Sequence, residues 1–248
     1  MCTVVAAIRY FDNIPLIIAA NRDEFKNRKT DPPSLINQNP LILAPRDRLK
    51  LGTFIGVNEW GLTAVITNLS GLIPRDNSKK SRGHLVLRAL GSPDVNRLLS
   101  DFEHIDFSEY NFFQIFAADN SKAVLIRYKG DIEIKEYESG IFSFSNWDAI
   151  PEVSDYKNSL IMSKIDRIEK NSDINDVVAI LRNILSLHDG EDMRFQICVH
   201  TENYGTLSSA IIAPFQSEPV FYYSEGPVCQ NRFRAYNQDL KSILTFRH

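Results

Sequence analysis

The sequence predicts an α+β protein in which pairs of helices cover antiparallel sheets. Three observations carry that expectation. Short β-patterned runs cluster together, helical patterns come in pairs between them, and no strand–helix alternation of the βαβ kind occurs. Along the chain the grouping is strands, helices, strands, helices, strands.

The first strand reads from Cys2 to Tyr10 and the second from Pro15 to Ala20, with Asp12-Asn13 as their turn. In the first run Cys2, Val4, Ala6 and Ile8 share one face, and Thr3, Val5, Ala7 and Arg9 the other. Both faces are largely apolar, as in a strand covered on both sides. Residues 26–50 hold Pro32, Pro33, Pro40 and Pro45 and read as a long irregular excursion. A second hairpin joins Thr53–Asn58 to Leu62–Asn68 around Glu59-Trp60-Gly61. Ser81–Leu90 reads as a helix, and Ser92-Pro93-Asp94 caps another through Leu99. Strands follow at Phe112–Ala118, Ala123–Tyr128, Ile132–Tyr137 and Ile141–Phe144. Apolar periodicity then predicts helices over Tyr156–Glu169 and Ile174–Leu187. Phe195–His200, Leu207–Ala213 and Val220–Tyr223 close the chain as strands.

Composition narrows the function classes. The 248 residues carry 28 Lys+Arg against 31 Asp+Glu, a formal net charge of -3, without the basic footprint of a general nucleic-acid binder. Hydrophobic content of 44% with 24% charged residues is that of an ordinary globular protein, and no linker divides residues 1–248 into two domains. No apolar run approaches the ~18 residues of a membrane span. Residues Met1 to Arg9 lack the basic and long apolar regions of a signal peptide, so a cytoplasmic address is expected. Cys2, Cys198 and Cys229 form no C-x-x-C, and the five histidines are scattered. A disulfide framework is excluded and no metal site is expected. Cys198, inside Phe195–Val199, reads as a small buried hydrophobe.

Chemistry concentrates elsewhere. Cleavage of Met1 would leave Cys2 with a nucleophilic thiol and an α-amine of pKa about 8, a base matched to neutral pH. A side-chain nucleophile served by its own terminal amine is the N-terminal-nucleophile arrangement. Asn21-Arg22-Asp23-Glu24 follow the apolar run Leu16–Ala19 and are poorly explained by core packing. A guanidinium there would lower the Cys2 thiol pKa, and a carboxylate would orient the amine. Alternation points Asn21 and Asp23 one way and Arg22 and Glu24 the other, unless the strand ends in a turn. A strand emerging into solvent is the plainer reading of the same four residues. Asn68 shares a face with Leu62, Ala64 and Ile66, so it puts an amide on a buried face, able to aim at a substrate carbonyl. Asn146, just past a strand, is a second such donor. Lys79-Lys80-Ser81-Arg82 reads as a solvated helix start.

Taken together, these residues resemble the NRDE family, that of transport and Golgi organisation protein 2. Seven blocks occur in its order: Met1-Cys2-Thr3, Asn21-Arg22-Asp23-Glu24, Gly52–Asn58, Thr67-Asn68, Ser81-Arg82-Gly83 with Leu85-Val86, Ser145-Asn146 and Tyr204-Gly205-Thr206. That family is similar to the N-terminal-nucleophile hydrolases of the bile-salt hydrolase and penicillin V acylase group. The resemblance implies a four-layer αββα sandwich, Cys2 as nucleophile, and Asn68 and Asn146 as oxyanion donors. In that group an Arg and an Asp three apart close the second strand. An ungapped match puts Asn21 and Glu24 at those places, and Arg22 and Asp23 take the roles only if the strand end is rearranged. Leu51-Gly52-Thr53-Phe54 replaces the family's usual Gly-Gly-Thr-Trp, and Leu207 stands where Arg is usual.

Two readings follow. The first is a cytosolic amidohydrolase acting on a small non-peptide C–N amide bond without metal or organic cofactor. Cys2, Asn21, Arg22, Asp23, Glu24, Asn68 and Asn146 form its site, and its expected partner is a small-molecule ligand or substrate, with no nucleic acid and no membrane span. The alternative is a non-catalytic carrier or regulator of a haem, lipid or coenzyme A related ligand on the same fold. The resemblance implies it, although no C-x-x-C-H haem motif occurs.

Overall fold

The structure, a computed structural model, describes residues 2–36, 39–188, 190 and 192–245. Two long strands, β1 (Cys2–Phe11) and β2 (Ile14–Phe25), form the expected hairpin. Then come β3 (Thr30–Ile36), β4 (Ile42–Asp47), β5 (Ile55–Asn58) and β6 (Thr63–Asn68). Helices α1 (Gly83–Ala89) and α2 (Val95–Phe102) precede β7 (Phe113–Ala118), β8 (Ala123–Tyr128), β9 (Ile132–Tyr137) and β10 (Gly140–Ser145). Helices α3 (Pro151–Ile165) and α4 (Ile174–Leu185) are followed by β11 (Tyr204–Ala213), β12 (Val220–Glu225), the short β13 (Arg234–Ala235) and α5 (Asn237–Thr245).

These strands build two antiparallel sheets, ordered β10-β1-β2-β11-β12-β13 and β3-β4-β5-β6-β7-β8-β9. The two apolar faces of β1 explain the layering. Val4, Ala6 and Ile8 enter the core between the sheets, which continues to Leu85, Val86 and Leu98 of α1 and α2 beyond the second sheet. Val5 and Ala7 enter a second core under Ile161 and Ile165 of α3 and Leu181 and Ile184 of α4. Each fully buried Val, Leu, Ile or Phe contributes roughly 1.5–3 kcal/mol relative to exposure, so both faces of this strand hold layers together. The result is a four-layer αββα sandwich.

Local chemistry sets the element ends. Asp94 caps α2 by accepting the Arg97 N–H at 2.8 Å, and Asp173 caps α4 in the same way. At the β5–β6 turn the Asn58 side-chain oxygen Oδ1 accepts the Trp60 and Leu62 N–H groups, and its amide Nδ2 donates to the Leu90 and Ser92 carbonyls. That fully satisfied buried amide ties the hairpin to the end of α1.

Three expectations are corrected. The proline-rich excursion contains β3 and β4. β3 is an edge strand, where a missing N–H costs no ladder bond, and Pro45 lies beyond the two β4–β5 pairs, Ile42↔Asn58 and Leu43↔Val57. Phe195–His200 is not a strand, and among the described residues its one bridge joins His200 to Gly205. Ile197, Cys198 and Val199 are buried there, with the Cys198 N–H donating to the Leu187 carbonyl at 2.6 Å. Burial under the helical layer, not sheet pairing, explains that apolar run. α3 begins five residues before the expected Tyr156, because Pro151 opens its first turn.

Candidate active site

Cys2 opens β1 and stands opposite Arg22 in the β1–β2 ladder. It is 8% exposed and lines a cavity of about 100 Å³ where the ends of the two sheets meet. Ile66 and Asn68 reach the same cavity from β6 of the other sheet. The Asn146 N–H donates to the Cys2 carbonyl at 3.2 Å, fixing the start of β1 from the β10 side.

Arg22 does not rest on the thiol. Its guanidinium donates to Asp47 at 3.1 Å, and Arg28 donates to the same carboxylate oxygen at 2.8 Å. Arg28 also reaches Glu24 at 2.9 Å. Glu24 and Asp47 thus hold two cations at the cavity wall. Arg75, Lys79 and Arg82 line it as well. Burial first, then Arg75, pulls the Arg82 guanidinium down to about 10, still charged at neutral pH.

Asp23 follows Arg22 on β2, and its partner strand is irregular at this point. β11 changes register between Thr206, opposite Asp23, and Ser208, opposite Arg22. Side-chain alternation holds along this end of β2: Asn21 and Asp23 turn toward the helical layer, Arg22 and Glu24 toward Asp47 and Arg28. Arg22, Asp23 and Glu24 all border the cavity at the strand end. Thr206 Oγ1 donates to the Asp23 carboxylate at 2.6 Å, and the Tyr204 hydroxyl donates to its carbonyl at 2.8 Å. Lys157 of α3 stands behind, and its charge favours the ionised carboxylate. Burial nevertheless raises the Asp23 carboxyl, against Thr206, Lys157 and Arg22. Burial likewise raises the Cys2 thiol, helped by Asp23 and opposed by Arg22. The resting thiol is protonated, so attack needs a base.

Of the residues expected here, Cys2, Arg22, Asp23, Glu24 and Asn68 line one cavity. Asn21 does not join them. Its amide donates to the Leu185 and Ile197 carbonyls at 2.8 and 2.9 Å and accepts from Ser209 Oγ, so it pins β2 to the helical layer. Asn146 adjoins Cys2 through its backbone, while its side-chain amide donates to Ser70 Oγ at 3.2 Å. The basic cluster read as a solvated helix start lines the cavity instead. Met1, whose removal the N-terminal-nucleophile expectation requires, lies outside the described residues.

Asp47, Lys157 and Thr206 were not expected in the site. Asp47 gave no signal, sitting in the proline-rich stretch. Lys157 could have been found, because it interrupts the buried stripe Val153, Lys157, Ile161, Ile165 at four-residue spacing. Gly52 and Gly83 pack backbone to backbone, since a Cβ on Gly52 would stand 2.6 Å from the Gly83 carbonyl carbon. Only glycine at both places lets the chain before β5 lie against the start of α1.

Among solved structures, a mutant of conjugated bile acid hydrolase from Clostridium perfringens superposes with a TM-score of 0.60 at 12% identity, over 95% of this chain and 96% of that one. Penicillin V acylase from Agrobacterium tumefaciens superposes with a TM-score of 0.59 at 13% identity, over 90% and 83% of the two chains. The chain shares its α+β sandwich fold with these two proteins. In sequence, residues 1–226 match the family Transport and Golgi organisation 2, and the chain belongs to that family. Transport and Golgi organization protein 2 homolog from Bos taurus is 28% identical over 232 residues, covering 79% of this chain and 81% of its own length. Among the described residues, no helix is long and apolar enough to cross a membrane.

Proposed function

We propose that the protein is an N-terminal-nucleophile amidohydrolase that cleaves a small non-peptide amide carrying an anionic group. The observation behind this reading is the single cavity in which the Cys2 thiol meets Arg22, Asp23 and Asn68. Once Met1 is removed, the Cys2 α-amine accepts the thiol proton, and Asp23 holds that amine. Sγ attacks the amide carbon, and Asn68 donates to the oxyanion. The amine passes the proton to the leaving nitrogen as the C–N bond breaks. Water then attacks the thioester, giving the carboxylic acid and restoring the thiol. Arg75, Lys79 and Arg82 on the wall supply the positive potential for an anionic substrate.

The same cations would serve the carrier reading, in which the cavity holds an anionic ligand without turnover. Intact mass, followed by a panel of N-acyl amides with and without a carboxylate, separates the two. Loss of methionine with Cys2-dependent hydrolysis supports the enzyme. Full-length mass with Met1 retained, or ligand binding without hydrolysis across the panel, refutes it.

A further inference from the structure

On the other side of Thr206 from Asp23, four side chains from three separate stretches converge. His188 follows α4, Cys198 and His200 lie between α4 and β11, and Cys229 lies in the turn after β12. His200 Nε2 is 3.4 Å from Cys198 Sγ and 3.2 Å from Cys229 Sγ, and the two Sγ atoms are 3.6 Å apart. The donor atoms of His188, His200 and Cys229 lie within 4.8 Å of one another, a group that does not include Cys198, so a four-ligand site needs the exposed His188 ring to close on Cys198 as the ion binds. His188 Nδ1 is 2.9 Å from the Ser186 carbonyl oxygen, which leaves Nε2 free to point at the cluster.

These separations have a specific meaning. With Zn–S about 2.3 Å and Zn–N about 2.0–2.1 Å, a tetrahedron has S···S edges near ~3.8 Å and S···N edges near ~3.5 Å. The three distances among Cys198, His200 and Cys229 are within a few tenths of an ångström of those edges. A disulfide is the other product two cysteines could form, but it needs sulfurs ~2.05 Å apart and gives two adjacent imidazoles nothing to do. We propose that His188, Cys198, His200 and Cys229 form a closed Cys2His2 site for a zinc ion.

Two thiolates and two imidazoles in a tetrahedron suit zinc and not magnesium or calcium, which take oxygen ligands. Four protein ligands leave no open position, so the site is structural. Ser186 supplies the outer contact that fixes the His188 ring. Binding releases two thiol protons for each ion taken up. The ion would clamp the end of α4 and the turn after β12 to the Cys198–His200 run. That run meets Thr206, whose N–H donates to the Val199 carbonyl at 2.9 Å. The metal thus braces the strand that holds Asp23 without touching the cavity. Sequence spacing hides such a site, because its ligands are spread from residue 188 to residue 229.

The test uses the full chain, reduced, stripped with chelator and reloaded with zinc or cobalt. We expect one equivalent of zinc per chain and, with cobalt, sulfur-to-metal charge transfer with tetrahedral d–d bands. Cys229→Ser and His188→Gln, both made because either alone could misfold, should each weaken zinc binding by roughly 100-fold or more while circular dichroism is kept. Cys2→Ala should keep both stoichiometry and spectrum. Bound zinc should also protect Cys229 from iodoacetamide. Absence of stoichiometric zinc in folded, reduced wild type overturns the proposal. So does zinc held equally well by both ligand variants, or zinc lost in Cys2→Ala.

Discussion

Arg22 and Asp47 meet at 3.1 Å with their side chains only 7% and 10% exposed, and they join the two sheets at the mouth of the cavity. Arg28 shares the same carboxylate oxygen at 2.8 Å. Removing Asp47 would leave two cations partly or wholly buried, with Arg22 losing its carboxylate partner. Asp47→Ala should therefore lower unfolding stability by about 3–5 kcal/mol. Asp31→Ala removes the partner of Arg48, whose side chains are 48% and 58% exposed, and should change it by less than about 1 kcal/mol. Urea midpoints of the two variants check this, and equal losses would contradict the account.

Leu51 has φ 59°, in the left-handed region that favours glycine. A non-glycine residue in that conformation costs about 1–2 kcal/mol, part of which glycine gives back in the unfolded chain. Leu51 is exposed, so little packing is lost on truncation. Leu51→Gly should raise stability by about 0.5–1 kcal/mol. Thermal and chemical denaturation read it, and a loss would show that Leu51 packs in a way its exposure hides.

The thiols should differ in their response to pH. Burial raises Cys2 above the ordinary thiol value and pushes Cys198 up to about 12. Cys229 is the exposed thiol, so it should be the most readily alkylated of the three when no metal is bound. In Cys229→Ser, free of metal, the thiolate fraction of Cys2 should grow about tenfold per pH unit from pH 7 to 9. Iodoacetamide labelling followed by mass spectrometry should rise accordingly, with Cys198 slower throughout. A plateau below pH 8 would mean that Arg22 outweighs burial.

The layered fold was legible because burial leaves periodic traces. β1 is apolar on both faces, as a strand between a sheet and a helical layer must be, and α4 shows its stripe in Val177, Leu181 and Ile184. What escaped was decided by distant partners. β3 and β4 are strands despite their prolines because one is an edge and the other is paired over only part of its length on one side. Phe195–His200 shares its composition with a strand, but its backbone bonds are scattered over Leu187, Asp192, Asn21 and Thr206. In the site, Cys2 and Asn68 were legible from their places on strands. The side on which Asp23 falls was legible too, since alternation puts it with Asn21 and opposite Arg22 and Glu24, whereas its partners Thr206 and Lys157 were not. Asn21 has the same polarity as its neighbours, and only the carbonyls of Leu185 and Ile197 show that it faces the helices.

Asn68 gives the sharpest separation between enzyme and carrier. It ends β6, half-buried, with its residue lining the cavity beside Cys2. Asn146 differs, because its amide already donates to Ser70. If Asn68 donates to a developing oxyanion, Asn68→Asp removes that donor and places negative charge where more must accumulate. Turnover should then fall about 10²–10³-fold, with a much smaller change in KM. Cys2→Ala should abolish turnover altogether. Both variants are compared with wild type at equal folded fraction, judged by circular dichroism, on whichever N-acyl amide the wild type cleaves. Under the carrier reading the same substitution would weaken anion binding, because it offsets the charge of Arg75, Lys79 and Arg82, and there would be no hydrolysis to lose. Activity that survives both substitutions would place the chemistry outside this cavity.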